Sequence, residues 1–342
     1  MGSTAKAKLR IAIVGAGGWG NQHARCLAER SDVELVGICG RTAERTRERA
    51  DAYRTRPYLA IGEMLAKEKP DLVFLSLPNR EHFKPTLEVI EAGFPLLVEK
   101  PLVFDLAEAD QLLTAARRKR LFFAINFNWR WAKPIQLARQ AIAAGRLGDL
   151  VFATWRFGGE GGACPLHNNL IETQCHGFDQ LEHLCGPIAS VSAHVAEVSG
   201  KGPSSMAVSL GFASGAVGSL VGSYDSSYAY TDTHALEVCG TRGRVLVSDT
   251  VKRFSFQAAG SESAEVWEAG FFNDRDREFH RTMDKHVDDL LAAFRAGAPP
   301  PVHADAGRRA LALAHATISA IRTGQRTSLS AFEPPAQAAA PA

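Results

Sequence analysis

Three groups of residues in this 342-residue chain have types and spacings that can do chemistry. The first is Gly15-Ala16-Gly17-Gly18-Trp19-Gly20, a GxGxxG run. It directly follows the apolar stretch Ile11–Val14 and opens a helical stretch over Asn21–Glu29. In strand–turn–helix context such a run holds a pyrophosphate. Gly15 permits the tight turn, Gly17 lets the backbone approach the phosphates, and Gly20 lets the helix pack close to the strand. The helix start adds N–H donors and the positive end of a dipole. The plain alternative is a Gly-rich turn without a ligand. The second group is Arg41 and Arg45, just past the apolar run Val33–Cys39. Sites that take a free ribose 2′-hydroxyl usually carry Asp or Glu at that strand tip. None stands here, and the two arginines could bracket a 2′-phosphate. NADP is therefore expected ahead of NAD, unless Arg41 only stacks on adenine. The third is Lys100 in Glu99-Lys100-Pro101, after the run ending at Val98. A lysine beside a loop-stiffening proline is an odd choice for packing and a natural one for a substrate hydroxyl.

These groups need a frame that brings strand ends to one edge. Apolar runs Leu9–Val14, Val33–Cys39, Leu72–Leu77, Pro95–Val98 and Leu121–Ile125 have strand length, and charged-faced segments of helical length separate them. That alternation predicts an α/β Rossmann fold, a doubly wound parallel sheet covered on both faces. Its carboxyl edge is where ligands bind. The second half reads differently. Helical segments at Pro134–Ala144 and Leu170–Leu184 precede strand-like runs joined by Gly/Ser turns, which predicts an α+β domain with a mostly antiparallel open sheet. The expected boundaries are 1–125 for the dinucleotide-binding domain and 126–303 for a substrate and oligomerisation domain. Residues 304–330 are expected to form a helix packing back on the first domain, and 331–342 a disordered tail.

Composition narrows the function classes. Apolar residues make up 46% and charged residues 22%, and 39 Lys and Arg face 37 Asp and Glu for a net charge of +2. This excludes a disordered chain, a fibrous protein and a disulfide-stapled mini-domain, and gives no footing for a nucleic-acid or membrane partner. No apolar run approaches the roughly 20 residues of a spanning helix. Ile11–Val14 is too short for a signal-peptide core, and Lys6 breaks the myristoylation pattern. Six scattered cysteines without CxxC spacing point to reduced thiols and a cytoplasmic protein. His176, Asp179 and His183 fall at i, i+3, i+7, and Cys164 precedes His167 by three, but neither set matches a common zinc module, so no metal is expected.

Further motifs follow the predicted strands. Pro78-Asn79-Arg80-Glu81-His82 comes after Leu72–Leu77, and Asn126-Phe127-Asn128-Trp129-Arg130 after Leu121–Ile125. With the glycine loop, Glu-Lys-Pro, the Gly240–Gly243 turn and a closing helix pair, the chain resembles the Gfo/Idh/MocA oxidoreductases from about Leu9 to Leu329. That is the group of glucose–fructose oxidoreductase and inositol dehydrogenase. The resemblance implies a cofactor site that adds Gly18, Trp19, Leu77, Pro78, Asn79, His82, Glu99 and Asn128 to the residues above. The family's substrate helix carries Asp-x-Gly-x-His-x-x-Asp, and the matching stretch here is Glu172-Thr173-Gln174-Cys175-His176-Gly177-Phe178-Asp179. Glu172 replaces the first Asp and Gln174 the Gly. Carried over, Lys100 orients the reacting hydroxyl, His176 is the general base, and Glu172 holds the substrate from the same helix face, four residues before His176. Asp179 either fixes the imidazole or makes a structural hydrogen bond. Arg156, His167 and Asn169 are further candidates for binding a polyhydroxylated ligand. Trp129 and Trp131 could stack on a ring or pack at an interface.

The function expected is hydride transfer between NADP or NAD and a secondary hydroxyl of a sugar, cyclitol or related polyol. Two alternatives stay open: an NAD-dependent glycoside hydrolase working by transient oxidation and elimination, and a non-catalytic cofactor or sugar sensor. An open sheet face predicts a homodimer or homotetramer.

Overall fold

The computed structural model describes residues 8–333. The chain starts as β1 (Leu9–Val14), α1 (Gly18–Ala28), β2 (Val33–Cys39), α2 (Ala43–Ala52), β3 (Arg56–Tyr58) and α3 (Ile61–Glu68). It continues as β4 (Leu72–Leu75), α4 (Phe83–Glu91), β5 (Leu96–Val98), α5 (Leu106–Arg118) and β6 (Phe123–Ile125). All six strands pair in parallel in the order β3-β2-β1-β4-β5-β6. The inner strands are apolar on both faces, with Ile11, Ala12, Ile13, Leu72, Val73 and Phe74 fully buried. Such strands are stable only when helices cover both sides. α5 shows how local chemistry sets a boundary. Asp105 caps it by accepting from the Ala107 and Glu108 amides, and Arg117 and Arg118 occupy its last turn.

After α6 (Lys133–Ala143) and β7 (Leu150–Gly158) comes α7 (Cys175–Cys185). Then follow β8 (Ile188–Ala196), β9 (Ser205–Phe212), β10 (Val217–Ser223), β11 (His234–Gly240), β12 (Gly243–Ser248), β13 (Arg253–Ala258) and β14 (Glu265–Glu268). The chain closes with α8 (Asp274–Arg277), α9 (Arg281–Arg295), α10 (Asp305–Thr323) and β15 (Thr327–Ser328). The second sheet has nine strands in the order β14-β13-β12-β11-β7-β10-β9-β8-β15, all neighbours antiparallel except β7 and β10. Along its strands buried Trp155, Leu220, Val208 and Leu236 alternate with residues of the opposite face, where Val217 and Val221 are 59% and 41% exposed. Among the described residues no helix is long and apolar enough to cross a membrane. All six cysteines are free thiols, five of them buried.

The chain divides into two compact units whose boundaries differ from those expected. The first comprises residues up to Phe127 together with Met283–Arg308; the second comprises Asn128–Thr282 and the chain from Arg309 onward. The reason lies in α9, expected in the second domain. Its Met283, Val287, Leu290 and Leu291 form one stripe buried among Ile11, Ile13, Ala24, Leu27 and Phe74. Burying four such side chains contributes on the order of 1.5–3 kcal/mol each. Asp284 pairs with Arg25 of α1 at 2.6 Å, and Arg295 with Asp32 at 2.7 Å. α10 was expected to pack back on the first domain. Its first turn does belong to the first unit, where Asp305 meets Arg117 at 2.6 Å and Arg308 meets Asp110 at 2.9 Å. From Arg309, which binds Glu182 and the Ile188 carbonyl, it belongs to the second. The tail expectation for 334–342 lies outside the described residues.

Candidate active site

The carboxyl ends of the parallel strands enclose a cavity of about 530 Å³. Gly15, Gly17, Gly18 and Trp19 line it from the loop after β1, and Arg41 and Arg45 from the segment after β2. Leu77, Pro78 and Asn79 come from the loop after β4, and Glu99 and Lys100 from the end of β5. The glycines divide by job. A Cβ on Gly15, whose φ is +127°, would lie 1.8 Å from the Ser76 carbonyl oxygen, and one on Gly20 would lie 2.0 Å from the Gly15 carbonyl oxygen. Both positions therefore require glycine for close backbone packing. Gly17 and Gly18 have no atom within 4 Å of a built Cβ, so there a side chain would instead fill the cradle at the start of α1. α1 has neither a side-chain cap nor an acid in its first turn, which suits an anion at its N-terminus. These features fit the diphosphate of a dinucleotide.

Beneath Lys100 lies a buried polar chain. The Glu99 carboxylate, 6% exposed, is 2.7 Å from His23 Nε2 and accepts from Asn126 Nδ2 at 2.7 Å. Its second oxygen accepts from the Lys100 amide at 3.3 Å. Asn126 Oδ1 in turn lies 2.7 Å from His286 Nδ1 on α9. Burial alone would push the Glu99 carboxyl upward; the His23 hydrogen bond and charge, Asn126 and the nearby Lys100 charge reverse this, and it titrates below its ordinary value. The Lys100 backbone is thus anchored to a group that stays ionised.

Two of the expected cofactor residues do other work. His82 is buried below the cavity, with Nδ1 2.7 Å from the Pro101 carbonyl oxygen and Nε2 3.0 Å from that of Leu77, so it clamps together the loops after β4 and β5. Asn128 belongs to the second unit, where its buried amide donates to Thr282 Oγ1 at 2.7 Å.

In the second unit the expected single helix over 170–184 is broken. Asn169–Thr173 forms a π-helical turn, and α7 starts only after Gln174. Glu172 and His176 therefore do not share one continuous α-helical face, because the wider turn changes the angle per residue between them. Gln174 holds the junction. Its Oε1 accepts from Trp155 Nε1 at 3.1 Å, and its Nε2 donates to Asn169 Oδ1 at 3.1 Å and the Phe157 carbonyl at 3.3 Å. His176, 5% exposed, lies flat on Trp129 with ring centroids 4.5 Å apart and planes 13° apart. Trp129 is itself buried against Phe157, His234 and Phe279, so it backs the imidazole and offers no open stacking face.

Asp179 is not a partner of His176. Arg130 donates to both its oxygens, at 2.6 and 2.9 Å, deep in the unit. Burial works against the Arg130 charge, but Asp179 overrides it, and the two-pronged geometry is that of a carboxylate with a fully charged guanidinium. Asn169 is fully buried and donates to the Ser204 carbonyl at 2.8 Å, which removes it from the substrate candidates. Arg156 is removed by strand alternation. Its neighbour Trp155 faces Gln174 and α7, so Arg156 points to the other side of the sheet. There it donates to the Asp232 carbonyl at 2.7 Å and lines a separate cavity of about 170 Å³. His167 is half-buried in a left-handed conformation with φ +59°, and burial lowers its pKa. Among the described residues no three His, Cys, Asp or Glu side chains are grouped to hold a metal ion.

The model of the oxidoreductase family with an NAD-binding Rossmann fold matches residues 9–127, and that of the GFO/IDH/MocA C-terminal domain matches 135–246. The chain belongs to the Gfo/Idh/MocA family. D-glucoside 3-dehydrogenase of Escherichia coli strain K12 is 33% identical over 150 residues, 43% of each protein. The chain thus spans less than half the length of that relative. Myo-inositol 2-dehydrogenase of Thermotoga maritima is 24% identical across 90% of this chain and 95% of its own. The structure of an Agrobacterium radiobacter oxidoreductase in complex with NAD+, L-tartaric acid and magnesium superposes with a TM-score of 0.85 at 16% identity, covering 96% of this chain and all of that one. At that identity the likeness speaks for the Gfo/Idh/MocA fold alone. Motif reading passed over Gln174, Glu81 and the cavity-lining Thr42, Thr46 and Ser76. Only Gln174 left a signal, as the departure from the family's Gly.

Proposed function

We propose that this chain is an NAD(P)-dependent oxidoreductase acting between a secondary hydroxyl and the matching ketone of a sugar, cyclitol or related polyol. The observation that carries this is a lysine, Lys100, in the wall of a glycine-cradled cavity at the carboxyl edge of a parallel sheet. The bound nicotinamide would supply the hydride acceptor or donor. Gly17, Gly18 and the start of α1 would hold its diphosphate, and Arg41 and Arg45 would receive a 2′-phosphate, which gives NADP its expected advantage. Lys100 would orient the substrate hydroxyl and stabilise alkoxide charge as the proton departs. His176, kept in one plane by Trp129, would take that proton in oxidation and return it in reduction. Glu172 would bind a neighbouring hydroxyl. Exposed Val217 and Val221 on the second sheet support assembly into a homodimer or homotetramer, which light scattering would register.

The test is a panel of sugars and inositols scanned with both cofactors, following the reduced nicotinamide. Lys100→Ala and His176→Ala should each lower turnover by about 100-fold or more while cofactor affinity stays within a few-fold. Near-normal turnover in either variant would sink the assigned roles. Tightly retained cofactor with aglycone release and no net change in nicotinamide would indicate the hydrolytic alternative instead.

A further inference from the structure

The dinucleotide cavity carries one charged contact that its glycine motif does not call for. Arg41 Nη1 stands 2.6 Å from each carboxylate oxygen of Glu81. Glu81 ends the 3-10 turn Asn79–Glu81 after β4, whereas Arg41 follows β2. In the sheet β2 and β4 are the two neighbours of β1, so the pair joins the segments on either side of the glycine loop. Arg41 is 67% exposed and Glu81 42%. A pair so exposed contributes little to folding and opens at small cost.

We propose that Glu81 sets the choice between NAD and NADP by competing for Arg41. This rests on the reading of the cavity as a nicotinamide dinucleotide site. β2 ends in Val36-Gly37-Ile38-Cys39 with no acid at its tip, so the strand itself offers no acceptor to a ribose diol. Glu81 brings a carboxylate to the same basic residue from the other side of β1. A free 2′-hydroxyl is a hydrogen-bond donor and is compatible with that carboxylate. A 2′-phosphate is not. It must take Arg41 away from Glu81 and then bind beside the carboxylate it displaced, a like charge. Glu81 therefore penalises only the phosphorylated cofactor, and the advantage given by Arg41 and Arg45 is smaller than two unpaired arginines would provide. Neutralising Glu81 leaves Arg41 in place and removes the competitor.

The experiment is titration of NADH and NADPH by nucleotide fluorescence and calorimetry on four proteins: wild type, Glu81→Gln, Arg41→Ala and the double variant. The substitutions lie at the exposed rim, and binding is read without any substrate. Glu81→Gln should tighten NADPH relative to NADH by about fivefold, the size expected when an exposed ion pair no longer has to open before Arg41 can reach the phosphate. The gain should shrink as salt rises from about 0.05 to 0.5 M. In the Arg41→Ala background it should fall below about threefold, because the competition no longer has an object. A change of less than about threefold in Glu81→Gln, or a full gain that persists without Arg41, overturns the proposal. Failure of wild type to bind either nucleotide overturns the cofactor reading itself, and is a separate result.

Discussion

The glycine loop after β1 and the turn before α7 are both short irregular segments that deliver functional groups ahead of a helix, and they are built in opposite ways. In the first, backbone does the work. Gly15 and Gly20 are fixed by main-chain atoms 1.8 and 2.0 Å from where a Cβ would be. In the second, side chains do it. Gln174 spends its whole amide on Trp155, Asn169 and Phe157, Trp129 flattens His176, and Arg130 occupies Asp179. A backbone solution admits only one residue type and leaves a pattern that can be read. A side-chain solution admits many, and its pattern depends on partners far away in sequence, such as Trp155 for Gln174 and Asp179 for Arg130.

Perturbation should expose this contrast. Gly15→Ala should be the most damaging change, costing more than about 4 kcal/mol or displacing the loop enough to end dinucleotide binding. A variant that unfolds at the wild-type denaturant midpoint and still binds NADH would break the backbone half of the comparison. Asp179→Asn should come next. It strands a buried guanidinium, which costs about 3–5 kcal/mol in chemical denaturation. A loss below about 1 kcal/mol would show the pair to be dispensable. Gln174→Gly, which restores the family residue, should cost the least, about 2–3 kcal/mol, because it leaves Trp155 Nε1 and two acceptors without partners. If it proved neutral, the wide turn would be held by something other than this amide, and the distinction between the two segments would weaken.

What was legible follows the same division. β1 and β2 run over Leu9–Val14 and Val33–Cys39, as their apolar runs indicated. β3 was missed because three residues containing Pro57 carry no strand signal. Of the expected cofactor residues in the first unit, all but Gly20 and His82 line the cavity. His82 and Asn128 carry polar side chains suited to a ligand, yet their hydrogen bonds go to protein atoms, which spacing does not reveal. On the substrate side, Glu172 and His176 keep their i, i+4 spacing but lie on either side of the junction between the π turn and α7, which hydrophobic periodicity does not register.

The place of α9 bears on how the protein is made. The parallel sheet is written in the first 125 residues, but the stripe Met283–Leu291 that seals its core comes much later in the chain. During synthesis the nascent sheet emerges with Ile11, Ile13 and Phe74 still uncovered on that side, and it stays so while the whole nine-stranded sheet except β15 is translated. The half of the protein that was easiest to read is therefore the half that must wait longest to finish folding, and its exposed strands are the ones a ribosome-bound chaperone would have most reason to shield.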